Sequence, residues 1–215
     1  MLRTEILVSA EYVDDIVEIH MKTFTGFFLT FLGRGFLKHL YKGFIEHDKS
    51  NVIGAFEDDR LVGFLAYSED ISAFYKYLIR KRLLPFAFYG ALAFFRKPAI
   101  MLRLLRAFTY PESSKRPEPY VELSSIGVLL PEAKNKGIGT MLIDELKKTV
   151  SNGQFSYKKL ETDRLNNDAV NAFYIKNGFV LDRSYTTREG REMNEYHFKL
   201  TRNETSQSAK GGDQS

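Results

Sequence analysis

The chain has no cysteine. A disulfide framework and a thiol nucleophile are both excluded, and a reducing compartment is the natural fit. Histidine is scarce and scattered. His20, His39, His47 and His197 include no pair at zinc-ligand spacing, so no metal site is expected. His39 stands among Phe36, Leu37 and Leu40 and reads as a packed helix residue. The longest apolar stretch, Leu83 to Phe95, is too short to span a bilayer and is flanked by charges. The start, Met1-Leu2-Arg3-Thr4-Glu5, lacks the basic-then-apolar pattern of a signal peptide, which points to a cytoplasmic location. No nucleic-acid reading module is present, so no nucleic-acid partner is expected.

Acidic residues are missing from one region. Residues 71–111 hold no Asp or Glu but eight basic residues: Lys76, Arg80, Lys81, Arg82, Arg96, Lys97, Arg103 and Arg106. The whole chain carries +4, so the charge is concentrated here, which is a lead about partners. What remains is ordinary. The 215 residues, 44% hydrophobic and 27% charged, suffice for one domain with a sizeable core.

Periodicity gives the element order. Glu5 to Val8 reads as a strand, Asp14 to Phe24 as a helix and Gly26 to His47 as a second helix, with Gly33 and Gly35 as break points. Asn51–Phe56 and Leu61–Ser68 read as a hairpin around Asp58-Asp59-Arg60. Residues 71–110 form a helical insert punctuated by Pro85 and Pro98, and Pro111 to Pro119 form a loop. Then come a strand (Tyr120–Leu130), a helix (Gly137–Val150), a strand (Tyr157–Asp163), a helix (Asn167–Asn177) and two strands (Phe179–Tyr185, Met193–Leu200) turned at Arg188-Glu189-Gly190-Arg191. Ile138, Leu142, Leu146 and Val150 recur every four residues, the stripe of a core-facing helix. This order predicts an α/β sandwich around a mixed sheet, with residues 1–202 as one domain and 203–215 as a disordered tail.

The strand-to-helix turn Lys134-Asn-Lys136-Gly137-Ile138-Gly139-Thr140 gathers backbone N–H groups at a helix start. That is a site for phosphate or pyrophosphate, with Lys134 and Lys136 as local charge. It is not the dinucleotide fingerprint, whose third glycine position holds Leu142, nor a P-loop, since no Gly-Lys-Ser/Thr follows. Some thirty residues on stands Asn167, then a helix ending Phe173-Tyr174-Ile175-Lys176-Asn177-Gly178-Phe179.

Together these segments resemble the GNAT N-acetyltransferase superfamily. Its first motif, Arg/Gln-x-x-Gly-x-Gly/Ala, is matched by Lys134-x-x-Gly137-x-Gly139, with Lys134 as the departure. Its second is matched closely by Phe173 to Phe179. The resemblance implies a GNAT-like mixed, mostly antiparallel sheet flanked by helices. The insert between the third and fourth strands is this chain's own addition. It also implies acetyl-CoA as co-substrate. The donor's pantetheine arm would lie between splayed fourth and fifth strands, with its phosphates on the backbone of Lys136 to Thr140. Fourth-strand N–H groups would polarise the thioester, Gly127 and Val128 being nearest. Val128 to Gly137 is one residue longer than the family pattern, so a bulge or register shift is expected and the choice between Val128 and Leu129 stays open. Tyr174 would protonate the leaving thiolate, its other reading being an aromatic of the inner face. Asn167 would contact the cofactor arm, cap the helix, or both.

Direct transfer to an amine needs a base but no enzyme nucleophile. Glu122 shares a strand face with Ser124, and Glu161 shares one with Asp163. Glu122 is the first candidate base and Glu161 the second. The resemblance puts Phe27 to Phe31 at the mouth of the acceptor site. Thr162-Asp163 with Asn166-Asn167 looks most like members associated with bacterial surface-polysaccharide synthesis. The expected acceptor is a primary amine, with an amino sugar or nucleotide sugar beside a protein N-terminus, a polyamine, a drug or a lipid-linked amine. A noncatalytic acyl-CoA-binding module is the rival class. For the aromatic, basic insert three readings stay open: a lid, a homodimer interface and a peripheral membrane patch.

Overall fold

A computed structural model describes residues 1–96, 118–129, 136–150, 155–187 and 190–200, with only the backbone described at Phe28 and Arg96. Lys134, Pro98, the distal insert and the tail lie outside the described residues. The elements are β1 (Leu2–Ile6), α1 (Val13–Thr23), α2 (Phe28–Glu46), β2 (Ser50–Glu57), β3 (Arg60–Ser68), α3 (Ile71–Arg96), β4 (Tyr120–Val128), α4 (Ile138–Thr149), β5 (Tyr157–Asp163), α5 (Asp168–Lys176), β6 (Val180–Thr186) and β7 (Glu192–Lys199). They build a seven-stranded sheet of order β1-β2-β3-β4-β5-β7-β6. Only the β4–β5 neighbours are parallel; the other pairs are antiparallel.

Two apolar layers cover the sheet. One joins α1, α2 and α3 through Ile16, Val17, Leu37, Tyr41, Phe64 and Phe74. The other joins α4 and α5 through Val121, Ile138, Leu142, Leu146, Tyr174 and Phe179. The four-residue stripe of α4 is what seats it: Ile138, Leu142 and Leu146 are all essentially buried, each worth about 1.5–3 kcal/mol. β3 is buried on both faces, which is why Leu61 to Tyr67 reads as an unbroken apolar run.

Three expectations shift. The first strand is Leu2–Ile6 rather than Glu5–Val8, because pairing with β2 (Leu2 to Glu57, Ile6 to Ile53) fixes an edge strand that local pattern leaves ambiguous. Gly33 does kink α2, at φ 85°. Gly35 stays helical and has a different task, since a Cβ there would lie 2.1 Å from the Tyr89 ring of α3. In α3 the kink falls at Arg82 (φ −134°), just before Pro85. Proline removes its own N–H and crowds the carbonyl four residues back.

Lys158 is a cost inside this core. It is fully buried, its ammonium donates to the Val150 carbonyl at 3.1 Å, and burial, aided by Lys147, lowers its pKa from 10.5 to about 8. An unfolded chain therefore binds this proton between pH 8 and 10.5 when the folded chain does not. Stability should rise with pH across that window, and the Lys158→Met variant should lose the rise. Denaturant midpoints at several pH values check it; parallel curves for the two proteins would reject the assignment.

Candidate active site

The central feature is a wedge in the sheet. β4 and β5 pair only at Tyr120–Tyr157, Val121–Lys158 and Glu122–Lys159. β4 nevertheless continues along β3 to Val128, and β5 continues along β7 to Asp163. The two strands therefore diverge beyond Glu122 and Lys159, and the β5-facing backbone of β4 loses its strand partner.

β4 also carries the extra residue. Ala66 faces Ser125 while Tyr67 faces Leu123, so Ser124 is the bulge. It lies upstream of the segment whose length suggested one. The bulge shifts the side-chain alternation, because it adds one residue to one strand only. Ser125, not Ser124, then joins Glu122 on the face of α1 to α3. There it hydrogen-bonds Tyr41, whose hydroxyl lies 2.6 Å from Nδ1 of buried His20. This chain ties α1 and α2 to β4 beside the bulge.

Register decides which amides face the wedge. The Leu129 amide donates to the Val62 carbonyl at 2.9 Å. In an antiparallel ladder hydrogen-bonding direction alternates. Gly127 and Leu129 therefore turn toward β3, and Ile126 and Val128 turn toward the open side. Of Gly127, Val128 and Leu129, only Val128 offers its N–H to the wedge, and Ile126 is a second that the sequence reading missed. Gly127 is needed for packing: a Cβ there would lie 2.9 Å from the Phe64 ring and 3.0 Å from the Thr23 hydroxyl.

The helix start lies next to this strand in sequence. Gly137 is left-handed (φ 68°), and α4 begins at Ile138 without a side-chain cap. The first intrahelical bond runs from the Met141 amide to the Gly137 carbonyl, 3.0 Å. The amides of Ile138, Gly139 and Thr140 precede it and lack a helical acceptor. The Ile138 side chain is core, so its part in any site is its backbone. A Cβ on Gly137 would meet nothing within 4 Å, whereas one on Gly139 would lie 3.0 Å from Phe173 of α5. Gly139 thus lets α4 and α5 approach closely. The Lys136 ammonium is paired with Glu57, so its charge is partly committed to the end of β2.

Tyr174 sits on the inner side of α5, nearly buried, edge-on to Phe173 and Phe179. Burial raises its phenol pKa, so the hydroxyl holds its proton at neutral pH. Asn167 occupies the N-cap position without capping. Its amide donates instead to the Thr162 hydroxyl (2.8 Å) and the Asp163 carbonyl (2.9 Å). Asn171 also donates to the Asp163 carbonyl, 3.1 Å, and its oxygen accepts from Tyr196 at 2.9 Å. These amides fasten α5 to the end of β5. Asn166 supplies the turn before it at φ 54°, a left-handed conformation that Asn tolerates.

The two candidate bases share one cation. Lys159, buried on β5, lies 3.3 Å from Glu122 and 3.0 Å from Glu161. Glu161 also accepts from the Tyr185 hydroxyl at 2.7 Å. Burial raises the Glu122 pKa; Lys159 opposes this and Glu161 adds to it, and the net shift is upward. Burial lowers the Lys159 pKa, but Glu122 and Glu161 outweigh it and hold the ammonium charged. Tyr75, on α3, is half exposed as a residue, but burial around its phenol, then Glu122 and Glu161, raise its pKa. Thus the first turns of the insert border this cluster. Lys159 and Tyr75 were missed in the sequence; the signal available was a Lys-Lys pair in an otherwise core-like strand. Asp163 stands further along β5 and is paired with Arg191, 2.7 Å. The Arg191 guanidinium in turn lies 5.9 Å from the ring centre of Phe27, which with Phe31 remains part-exposed.

Among the described residues, one carboxylate–imidazole group has metal-like spacing: ligand atoms of Asp182, Glu195 and His197 lie within 4.8 Å of one another. Glu195 is already held by Arg183 at 2.8 Å and by His197 at 2.7 Å. A further cation there would face the guanidinium.

Comparison with known proteins follows the same lines. A model of the acetyltransferase (GNAT) family matches residues 13–179. No curated protein matches the sequence. Among solved structures, a GNAT-family acetyltransferase from Bacillus cereus is similar at 17% identity and TM-score 0.55, over 94% of this chain and 99% of that one. NAA60 of Arabidopsis thaliana in complex with acetyl-CoA is similar at 14% identity and TM-score 0.56, over 93% and 99%. The ribosomal-protein-S18-alanine N-acetyltransferase of Escherichia coli is similar at 14% identity and TM-score 0.54, over 96% and 99%. At these identities the likeness is one of fold.

Proposed function

As the chain belongs to the GNAT acetyltransferase family, we propose that it moves an acetyl group from acetyl-CoA to a primary amine by direct attack. The observation that carries this reading is the wedge between β4 and β5, open on the side to which Val128 and Ile126 turn their amides. The thioester carbonyl accepts from the Val128 N–H, which stabilises the oxyanion formed when the amine attacks. Glu122 takes the proton lost by the amine, with Lys159 holding the carboxylate in place. The tetrahedral intermediate collapses, the C–S bond breaks, and Tyr174 donates its proton to the departing thiolate. The amides of Ile138 to Thr140 hold the pyrophosphate at the positive end of α4.

The acceptor we favour is an amino sugar made anionic by a phosphate or nucleotide. Supporting it is Arg191, which pairs with Asp163 and lies over the part-exposed Phe27, a setting in which a ring stacks and a phosphate pairs. Purified protein should release free thiol from acetyl-CoA fastest with amino-sugar nucleotides in a panel that also holds peptides, polyamines and simple amines. Turnover with peptides alone would move the acceptor to protein N-termini. Tight coenzyme A binding without turnover of any amine would overturn the enzymatic reading in favour of a binding module.

Gly137→Val tests the cofactor site. The added side chain projects from a left-handed residue into open space, where the phosphate would approach. Loss of one charge-assisted hydrogen bond costs roughly tenfold to a hundredfold in affinity. Calorimetric titration of the folded variant with coenzyme A should show a loss of that size. Unchanged affinity would remove the phosphates from α4.

A further inference from the structure

Helix α3 is apolar on two opposite sides. One side is accounted for: Phe86 lies 4.5 Å from Phe36, ring centre to ring centre, and Tyr89 closes on Gly35, both on α2. The other side faces outward. Leu84 is 81% exposed, Phe88 64% and Phe95 82%. Spaced by four and seven residues, they share one stripe. No charged residue occurs from Leu83 to Phe95, so this stripe has no polar rim along its own helix. A solvated helix face carries polar residues, and an apolar face of this length signals a contact surface.

The adjoining charge selects the contact. Lys76, Arg80 and Lys81 are exposed on the first half of α3, and residues 71–111 contain no acid. A second copy packed on this face would bring the same basic residues with it, because a two-fold contact repeats one patch on both partners. A surface that is apolar within and anionic at its boundary complements both halves. No described helix is long and apolar enough to cross a membrane, so the contact is one of lying on the surface. The kink at Arg82 lets the basic first half and the apolar second half take different directions.

We propose that the outer face of α3 beds into the boundary between headgroups and acyl chains of an anionic lipid membrane. Leu84, Phe88 and Phe95 enter the apolar zone, and Lys76, Arg80 and Lys81 meet lipid phosphates. The first turns of the same helix (Ile71–Arg96) carry Tyr75, which feels Glu122 and Glu161. Docking by α3 therefore holds the acidic cluster near the membrane and favours acceptors presented there. Docking does not depend on the transfer chemistry.

Flotation of the full chain with neutral phosphatidylcholine vesicles and with vesicles containing phosphatidylglycerol tests it, at low and high salt. The expected result is binding to the anionic vesicles, weakened but not abolished by salt, because screening removes the charge contribution and leaves the apolar one. Leu84→Ser/Phe88→Ser/Phe95→Ser should lower the partition coefficient by about tenfold or more at either salt. Lys76→Gln/Arg80→Gln/Lys81→Gln should lower it by a similar factor at low salt only. Both variants change exposed residues, and circular dichroism and coenzyme A affinity should match the parent. Absence of binding to anionic vesicles would overturn the proposal. In that case, dimerisation in sedimentation that the serine variant abolishes would assign the face to a second copy. A monomer indifferent to that variant would leave this face as plain solvated surface.

Discussion

Tyr174→Phe is expected to lower turnover by about 10²–10⁴-fold, the usual contribution of a general acid, while acetyl-CoA affinity stays close to that of the parent. The substitution keeps the ring that packs between Phe173 and Phe179 and removes only the hydroxyl. The fold should hold, since the buried ring and its aromatic contacts are kept. Burial raises the Tyr174 pKa, so the donor is protonated throughout the neutral range, and its loss should lower the rate at every pH there. Single-turnover measurements separate chemistry from product release. A variant whose chemical step matches the parent would leave Tyr174 as a core aromatic. A stronger nucleofuge in place of coenzyme A, one that needs no proton to leave, should restore much of the lost rate if the role is correct.

Glu122→Gln should cost a similar factor, about 10²–10⁴ in kcat/KM, and should change the shape of the pH profile. Glu122 is active as the carboxylate, and its pKa lies above the ordinary value of 4.5. Activity should therefore rise with pH along an acid limb whose midpoint lies above 4.5, and the variant should lack that limb. Its neighbours move the midpoint in opposite directions. Lys159 lowers the Glu122 pKa and Glu161 raises it. Lys159→Met should shift the limb to higher pH, and Glu161→Gln to lower pH with activity kept. An inactive Glu161→Gln beside an active Glu122→Gln would transfer the role of base to Glu161. The shared 3.0–3.3 Å contacts of Lys159 make the three residues a coupled group, so the apparent midpoint belongs to the group.

These tests turn on residues of unequal visibility. Tyr174 was legible because a short motif carries it: Phe173 to Phe179 is a helix end read from neighbouring residues. The stripe of α4 and the glycine turn ahead of it were legible for the same reason, since a 3.6-residue period and a left-handed glycine are local properties. Asn167 was seen but partly misread. Its place before a helix suggests capping, yet Thr162 and the Asp163 carbonyl take its amide, and that competition exists only when β5 and α5 are set side by side. The packing role of Gly139 was not legible at all, because Phe173, its neighbour in space, is distant in sequence.

The sequence by itself determined the element order, the core-facing stripes, the acid-free insert and the family to which the chain belongs. Each of these is written in spacings of a few residues or in composition. Only the tertiary structure decided that β4 and β5 part after Glu122 and Lys159, that Ser124 is the bulge, and that Val128 rather than Gly127 or Leu129 turns its amide to the wedge. It alone joined Glu122, Lys159, Glu161 and Tyr75, and it alone left one side of α3 bare. The physical reason is that strand register is a relation between partners. A slip of one residue reverses every amide and side chain along a strand, and the sequence of that strand holds no record of the partner that prevents it.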